Sequence, residues 1–213
     1  MIRDFTASAL ATLLVTLDPP GLAPIFLALT EGMADGERRQ VALRACLIAF
    51  AILTFFALGG GEILRLLGIG LPAFRIAGGM LLFWIAFEMV FQARGERKAQ
   101  AAQSAVTIDR IRNVAAFPLA MPLLAGPGAI TAAILLAGRA GSDPRLLAIL
   151  IALVGAVLAC CALVFLLAQR FARLLGVTGN IVLTRLLGVI LAALAVQFIM
   201  DGAVAALTLS RQS

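Results

Sequence analysis

The stretch Leu17-Asp18-Pro19-Pro20-Gly21 interrupts a long apolar run that extends from Phe5 to Leu29. Proline has no amide hydrogen to donate and glycine tolerates unusual backbone angles, so this stretch predicts a break in a helix. Backbone groups freed inside a membrane have no water to bind. Such a break therefore persists only where the chain is buried in protein or lines a cavity.

A second break stands at the corresponding place in the other half of the chain. Leu124-Ala125-Gly126-Pro127-Gly128 lies inside the apolar run from Val114 to Ala137. A single proline kink is tolerated in membrane helices, because neighbouring groups satisfy the backbone again. Matched breaks in two halves indicate instead the binding site of a transporter.

Composition identifies the chain as an integral membrane protein. Of its 213 residues, 62% are hydrophobic and 13% are charged, and the mean hydropathy is +1.08. Soluble domains carry about 25% charged residues. The net charge of +6 comes from basic residues scattered over short connections. That distribution sets orientation in a bilayer and does not indicate nucleic-acid binding.

The chain is predicted to be one polytopic domain over residues 1–213, all α-helical, with the lipid bilayer as its surroundings. The first apolar run is interpreted as a retained span, because its opening is nearly neutral and it contains an aspartate and three prolines. A span needs about 20 mostly apolar residues. Six spans are predicted, at Phe5–Leu29, Val41–Leu67, Leu71–Phe91, Val114–Ala137, Leu146–Gln169 and Ile181–Leu207.

Two repeats, at 1–92 and 113–213, flank a polar connecting loop at 93–112. Three short motifs recur in order, at offsets of 107, 108 and 110 residues. Each repeat holds three spans, an odd number, so the second repeat must enter the membrane from the opposite side. The sequence thus predicts an inverted repeat. The matched motifs are Pro20-Gly21 with Pro127-Gly128, Arg65-Leu66-Leu67-Gly68 with Arg173-Leu174-Leu175-Gly176, and Arg75-Ile76-Ala77-Gly78 with Arg185-Leu186-Leu187-Gly188.

The orientation follows from the basic residues near the span ends. Ten lie on the side that holds Arg38 and Arg170, and five lie on the side that holds Arg3 and Arg139. The richer side is expected to be cytoplasmic. Both termini are then expected to be periplasmic.

Asp18 precedes the first break and admits several roles. A carboxylate at mid-membrane costs about 2.5–3.5 kcal/mol on insertion scales unless it is paired or hydrated. Asp18 can pair with a substrate ammonium, bind a coupling proton or sodium ion, or cap the half-helix that starts at Pro19 or Pro20. Its counterpart in the second repeat is Ala125, so any role of the charge is one-sided.

The half-helix starts are the predicted binding elements, since a helix N-terminus suits a carboxylate. Free amides of both half-helices are expected to point into the gap. Arg75 and Arg185 occupy equivalent positions and either snorkel to the interface or form an interior pair that holds Asp18, Glu88 or a substrate carboxylate. Glu88 and Asp201 are read as interface markers. The predicted substrate-binding residues are Asp18, Pro19, Pro20, Gly21, Gly126, Pro127, Gly128, Thr131, Arg75 and Arg185.

No cofactor or metal is predicted. Cys46, Cys160 and Cys161 show no metal-ligand spacing, and the chain has no histidine. No nucleophile–base pair is recognisable, so the chain is not predicted to be an enzyme.

These motifs resemble the MarC family of integral membrane proteins, which is grouped with LysE-type exporters. The resemblance covers about Phe5 to Ala205. It implies a multi-pass protein of the bacterial inner membrane that carries or exports small neutral amino acids such as glycine and alanine. The motifs that carry it are Asp18-Pro19-Pro20-Gly21 with Pro24 and Phe26, Leu29-Thr30, Arg75-Ile76-Ala77-Gly78-Gly79, Pro118-Leu119-Ala120-Met121-Pro122 and Gly126-Pro127-Gly128-Ala129-Ile130-Thr131.

The predicted mechanism is alternating access, with the substrate between the two broken helices. The alternative is a passive channel for small polar solutes built on the same half-helices. The sequence does not determine the substrate, the direction of transport or the coupling ion. It also leaves the oligomeric state open, and a homo-oligomer is one of the possibilities.

Overall fold

The computed structural model describes residues 2–91, 114–141 and 143–210. Within these ranges the chain is helical with no β-strand, which confirms the predicted all-α fold. The polar loop predicted at 93–112 lies outside the described residues. In chain order the elements are α1 Ile2–Leu17, α2 Pro19–Leu29, α3 Asp35–Leu66, α4 Leu71–Val90, an irregular segment Ala115–Leu124, α5 Pro127–Ala140, α6 Pro144–Leu166 and α7 Ala168–Ser210.

Five helical stretches among the described residues are long and apolar enough to cross a membrane. One of them joins α1 and α2 into a segment of 28 residues, Ile2–Leu29. The irregular segment and α5 make a sixth if this bent pair counts as one span. Gly176, at a φ of 58°, interrupts α7, and its membrane-length part is Thr178–Thr208.

The outer surface of the bundle is apolar. Large side chains such as Leu47, Phe55 and Leu186 are more than half exposed. A soluble monomer rarely shows contiguous apolar patches of more than a few hundred square ångströms. A surface of this kind fits the hydrocarbon core of a bilayer, where lipid tails cover it.

Helices α4 and α7 form the most extensive helix pair, and they run antiparallel. Gly79 packs against Ala195 and Ile199, whereas Gly202 packs against Arg75, near the start of α4. A Cβ atom on Gly79 would lie only 2.6 Å from Ile199 Cγ1 and 2.9 Å from the Ala195 carbonyl oxygen. Small residues therefore allow the two backbones to approach closely, as membrane helices commonly do.

The first three spans pack mainly against the last three and not against one another. Helix α1 contacts α5, α6 and α7, and α2 contacts α6 and α7. Helix α3 packs against the irregular segment, α5 and α6. The core is therefore shared between the two halves of the chain.

The first part of the fourth predicted span is not a regular helix. Phe117 and Met121 are extended, with ψ angles of 125° and 123°, and each precedes a proline. The ring of a following proline disfavours the helical conformation of the residue before it. The fourth predicted span, Val114–Ala137, is therefore irregular before the break at Gly126, and the two X-Pro pairs are the sequence signal for it.

We expect Gly79→Ala to destabilise the protein by about 1–3 kcal/mol, because the added methyl group meets the α7 backbone. Thermal unfolding in detergent measures the effect. The matched control is Gly59→Ala on α3, where a Cβ atom would meet nothing within 4 Å. Alanine is the better helix former, so the control is expected to be neutral or stabilising. Equal melting temperatures for the two variants would contradict tight packing at Gly79.

Candidate functional site

The first break consists of a single residue. Asp18, between α1 and α2, adopts the left-handed conformation with φ 54° and ψ 62°, and it is 2% exposed. Aspartate tolerates this conformation better than most residues. Its Oδ1 accepts the Gly21 amide at 3.1 Å, and its carbonyl oxygen accepts the Leu22 amide at 3.1 Å. Among the alternative roles of Asp18, the structure shows the helix cap.

Gly21 makes room for this cap. A Cβ atom on Gly21 would lie 2.2 Å from Asp18 Oδ2 and 2.8 Å from Oδ1. Any larger residue would displace the carboxylate from the start of α2. The Asp-Pro-Pro-Gly stretch is thus one structural unit, in which the last residue accommodates the side chain of the first.

The start of α2 leaves no free amide in its first turn. Pro19 and Pro20 have no amide hydrogen, and the next two amides are bound by Asp18. The expectation that this half-helix points free amides into a gap is therefore corrected. The first break keeps a buried carboxyl group, that of Asp18.

The second break differs in both shape and capping. The irregular segment and α5 meet at an angle of 58°. Gly126 precedes α5 and no side chain caps the helix start, in contrast to Asp18 at α2. The Ile130 amide bonds to the Gly126 carbonyl oxygen at 3.0 Å. The amides of Gly128 and Ala129, both buried, belong to the first turn, which has no intrahelical acceptor.

Gly126 is required by the tight turn that precedes α5. A Cβ atom there would lie 2.4 Å from the Pro122 carbonyl oxygen. One turn into α5, Thr131 is buried and packs against Gly78 of α4. Because α1 also contacts α5, the helices that carry the two breaks are neighbours in the bundle.

A charged cluster joins four helices at one end of the bundle, close to the start of α1. Arg139 of α5 donates to the Asp201 carboxylate of α7 and to Ser8 Oγ of α1, the latter at 3.2 Å. Gln197 Nε2 donates to Asp201 Oδ1 at 2.7 Å. The Arg139 guanidinium also lies 4.3 Å from the centroid of the Phe198 ring.

Arg75 of α4 adds a second positive charge to this cluster. Its Nη2 donates to the Gly138 carbonyl oxygen at 3.2 Å, and its Cβ packs against Gly202, next to Asp201. Its Nε is buried and has no partner among the described residues. The cluster thus holds two guanidinium groups and one carboxylate, with an excess of one positive charge.

Arg185 does not join this cluster. Its side chain is exposed, and it lies near Gly188, which packs against Ala86 and Met89 at the far end of α4. The antiparallel packing of α4 and α7 sends the two equivalent arginines to opposite ends of the helix pair. Arg75 and Arg185 therefore do not form the interior pair that was one of the two expectations.

Sequence reasoning missed the pairing of Arg139 with Asp201. The sequence placed Arg139 in a connection and Asp201 at the membrane interface. The two residues are 62 positions apart, and no spacing rule relates them. Glu88, also read as an interface marker, is buried and accepts a hydrogen bond from Trp84 Nε1 at 2.9 Å.

The comparisons with known proteins agree on the class of protein. The family profile described as "MarC family integral membrane protein" matches residues 4–207. The "UPF0056 membrane protein" of Archaeoglobus fulgidus is 39% identical over 201 residues, which cover 93% of this chain and 92% of the relative. The comparison with solved structures gives no significant match.

Bacterial relatives are also similar over most of their length. The "UPF0056 membrane protein YhcE" of Escherichia coli is 36% identical over 190 residues, covering 89% of this chain and 87% of the relative. The "UPF0056 membrane protein YvbG" of Bacillus subtilis is 32% identical over 202 residues, covering 95% of each chain. The family profile, at residues 4–207, spans both breaks and the charged cluster.

We expect Asp201→Asn to destabilise the protein by about 1–2 kcal/mol, because it removes the carboxylate from between two guanidinium groups. The side chains of Arg139 and Asp201 are 21% and 32% exposed, so solvent screens the pair only in part. Thermal unfolding in detergent measures the loss. The double variant Arg139→Gln/Asp201→Asn is expected to lose less than the sum of the two single variants.

The control for this prediction is Glu62→Gln. It breaks the ion pair with Arg65 at 2.6 Å, whose side chains are 66% and 77% exposed. An exposed pair of this kind contributes about 0–1 kcal/mol. If Asp201→Asn were no more destabilising than Glu62→Gln, the cluster would not be a structural tie.

Proposed function

Because the chain belongs to the MarC family of integral membrane proteins, we propose that it is a secondary transporter of small neutral amino acids such as glycine and alanine. The observation that carries the proposal is the difference between the two breaks. One presents a buried carboxylate, Asp18, and the other presents the uncapped, buried helix start at Gly128 and Ala129. An amino-acid zwitterion has the complementary pair of charges.

The proposed site places the substrate carboxylate on the amides at the start of α5. A helix N-terminus carries about half a positive charge, and its amide groups suit a carboxylate. Thr131, one turn further along α5, is a polar side chain on the same element. The substrate ammonium lies towards Asp18, whose two carboxylate oxygens can together accept several hydrogen bonds. The proposed site residues are Asp18, Pro19, Pro20 and Gly21 with Gly126, Pro127, Gly128 and Thr131.

The surroundings of the second break favour a small and neutral side chain on the substrate. The walls near the second break are apolar, since Gly128 packs against Ile85 and Leu82 of α4. A charged substrate side chain would need a partner there, because an unpaired charge at this depth is costly. Glycine and alanine satisfy this constraint with the least volume.

Alternating access is the mechanism that we propose, with two inverted repeats at 1–92 and 113–213. Three features support it: the antiparallel α4–α7 pair, the packing of the first three spans against the last three, and the repeated motifs. Inverted repeats place a site at their interface and allow one repeat to rock against the other. Because the charged cluster joins α1 and α4 to α5 and α7, we propose that this contact opens in one of the two states.

The membrane placement is part of the proposal. The protein is a multi-pass integral membrane protein with bacterial relatives. The excess of basic residues on one side favours a cytoplasmic location for that side, with both termini in the periplasm. The proposed membrane is the bacterial inner membrane, and the coupling ion, if one is used, is a proton or sodium.

The proposal predicts saturable flux of labelled glycine and alanine into proteoliposomes that contain the purified protein. Imposed proton and sodium gradients identify the coupling ion. Flux no greater than that into empty vesicles would overturn the amino-acid assignment. Flux that rises linearly with concentration and ignores both gradients would identify a passive channel on the same two helix starts.

Asp18→Asn separates the charge of the first break from its capping role. Asparagine caps helices about as well as aspartate and also tolerates the left-handed conformation, so the melting temperature is expected to change little. Flux is expected to fall at least about tenfold, since a charged hydrogen bond contributes about 1.5–3 kcal/mol. Asp18→Ala is expected to lose flux and also about 1 kcal/mol of stability. Unchanged flux in Asp18→Asn would restrict Asp18 to the cap.

A further inference from the structure

We propose that a second site, at the other end of the bundle, binds the phosphate group of an anionic phospholipid. A cavity of about 370 Å³ opens where α2 and α6 end and α3 begins. This volume falls within the range of about 300–1,000 Å³ that small-ligand sites occupy. We call it the basic cavity. It is lined by Phe26, Leu27, Asp35, Arg38, Arg39, Phe165, Leu166, Leu167 and Arg170.

Positive charge dominates the basic cavity. Three guanidinium groups, those of Arg38, Arg39 and Arg170, line it together with one carboxylate, that of Asp35. Neither Arg39 nor Arg170 takes part in a hydrogen bond or ion pair with the rest of the described chain. Arginine side chains that lie close together without a partner repel one another, because each carries a positive charge. An anion between them removes that repulsion.

Arg38 supplies a fixed point for such an anion. Its Nε donates to the Thr30 carbonyl oxygen at 3.2 Å, beyond the end of α2, and its side chain is partly buried. The Nη groups of Arg38 are not used in this bond. Guanidinium groups match phosphate in geometry and often bind it through two parallel hydrogen bonds.

The remaining walls of the basic cavity are apolar. The rings of Phe26 and Phe165 stack with centroids 4.7 Å apart and are almost completely buried. Leu166 and Leu167, at the end of α6, are more than 40% exposed. A free phosphate would gain nothing from these surfaces. A phospholipid, by contrast, places its phosphate among the arginines and its acyl chains along the leucines.

The location of the basic cavity also favours a lipid. It lies at the ends of spans, where headgroups meet water, and on the side of the bundle that is richer in basic residues. Basic pockets between helix ends on that side are suited to anionic headgroups. The cavity shares no residue with the two breaks or with the charged cluster, so this proposal does not depend on the proposed transport.

Native mass spectrometry of the purified protein tests the proposal with phosphatidylglycerol and phosphatidylcholine added in turn. The unaltered protein is expected to retain phosphatidylglycerol in preference to phosphatidylcholine. The variant Arg39→Gln/Arg170→Gln is expected to bind phosphatidylglycerol at least about tenfold more weakly, because two charge-assisted contacts are lost. Equal retention of phosphatidylglycerol by the variant and the unaltered protein would overturn the proposal.

The matched control is Arg44→Gln. Arg44 is an exposed arginine of α3 that does not line the basic cavity. It is expected to leave retention unchanged, so an equal loss in this control would mean non-specific attraction and would overturn the site. Inorganic phosphate that displaces phosphatidylglycerol at low millimolar concentration would identify a site for soluble phosphate compounds and overturn the lipid assignment. Circular dichroism and the single variants Arg39→Gln and Arg170→Gln, both at exposed positions, separate loss of binding from misfolding.

Discussion

A backbone amide inside hydrocarbon must find an acceptor within the protein, because no water is present to supply one. The rest of this structure depends on that constraint. At the first break this constraint is met locally. Pro19 and Pro20 have no amide hydrogen, and Asp18 accepts the amide hydrogens of Gly21 and Leu22. At the second break no side chain meets it, so the buried first turn of α5 keeps groups that a ligand can use. The two breaks therefore differ in chemistry although they match in sequence.

Close helix packing is the second condition on which the site depends. After the bend of 58°, the start of α5 packs closely on α4, where Gly128 meets Ile85 and Leu82. Glycines on α4 and α7 let these helices approach, and the helices of each half lie largely against those of the other half. The second break lies between the halves, since Gly128 packs against Ile85 and Leu82 of α4. In the proposed alternating-access mechanism, relative motion of the two halves changes access to the breaks.

Charge is divided between the two ends of the bundle. At one end, Arg75, Arg139 and Asp201 form a partly buried cluster that ties four helices together. At the other end, three arginines surround a cavity with a single carboxylate. Partly buried ion pairs resist separation, whereas unpaired arginines at a membrane surface attract anions. The first arrangement suits a contact that holds one state of the protein closed, and the second suits a lasting partner such as a lipid.

The sequence by itself determined the membrane class, the all-helical fold and the positions of the two breaks, because each follows from local properties. Hydropathy defines spans, and proline and glycine mark interruptions whatever surrounds them. The family resemblance also rested on short motifs around these interruptions. The irregular course of Ala115–Leu124 also follows from local sequence, because its two X-Pro pairs disfavour a helix. The prediction missed it because the whole segment is apolar and fits a membrane span.

Only the tertiary structure decided which polar groups meet. Asp18 can cap α2 because its backbone adopts the left-handed conformation and because Gly21 has no Cβ atom to displace the Asp18 carboxylate. The partnership of Arg139 with Asp201 joins residues 62 positions apart, and the separation of Arg75 from Arg185 follows from the antiparallel course of α4 and α7. Sequence patterns record which face of a helix is apolar. They do not record which neighbour that face contacts, because this depends on the packing of all the helices at once.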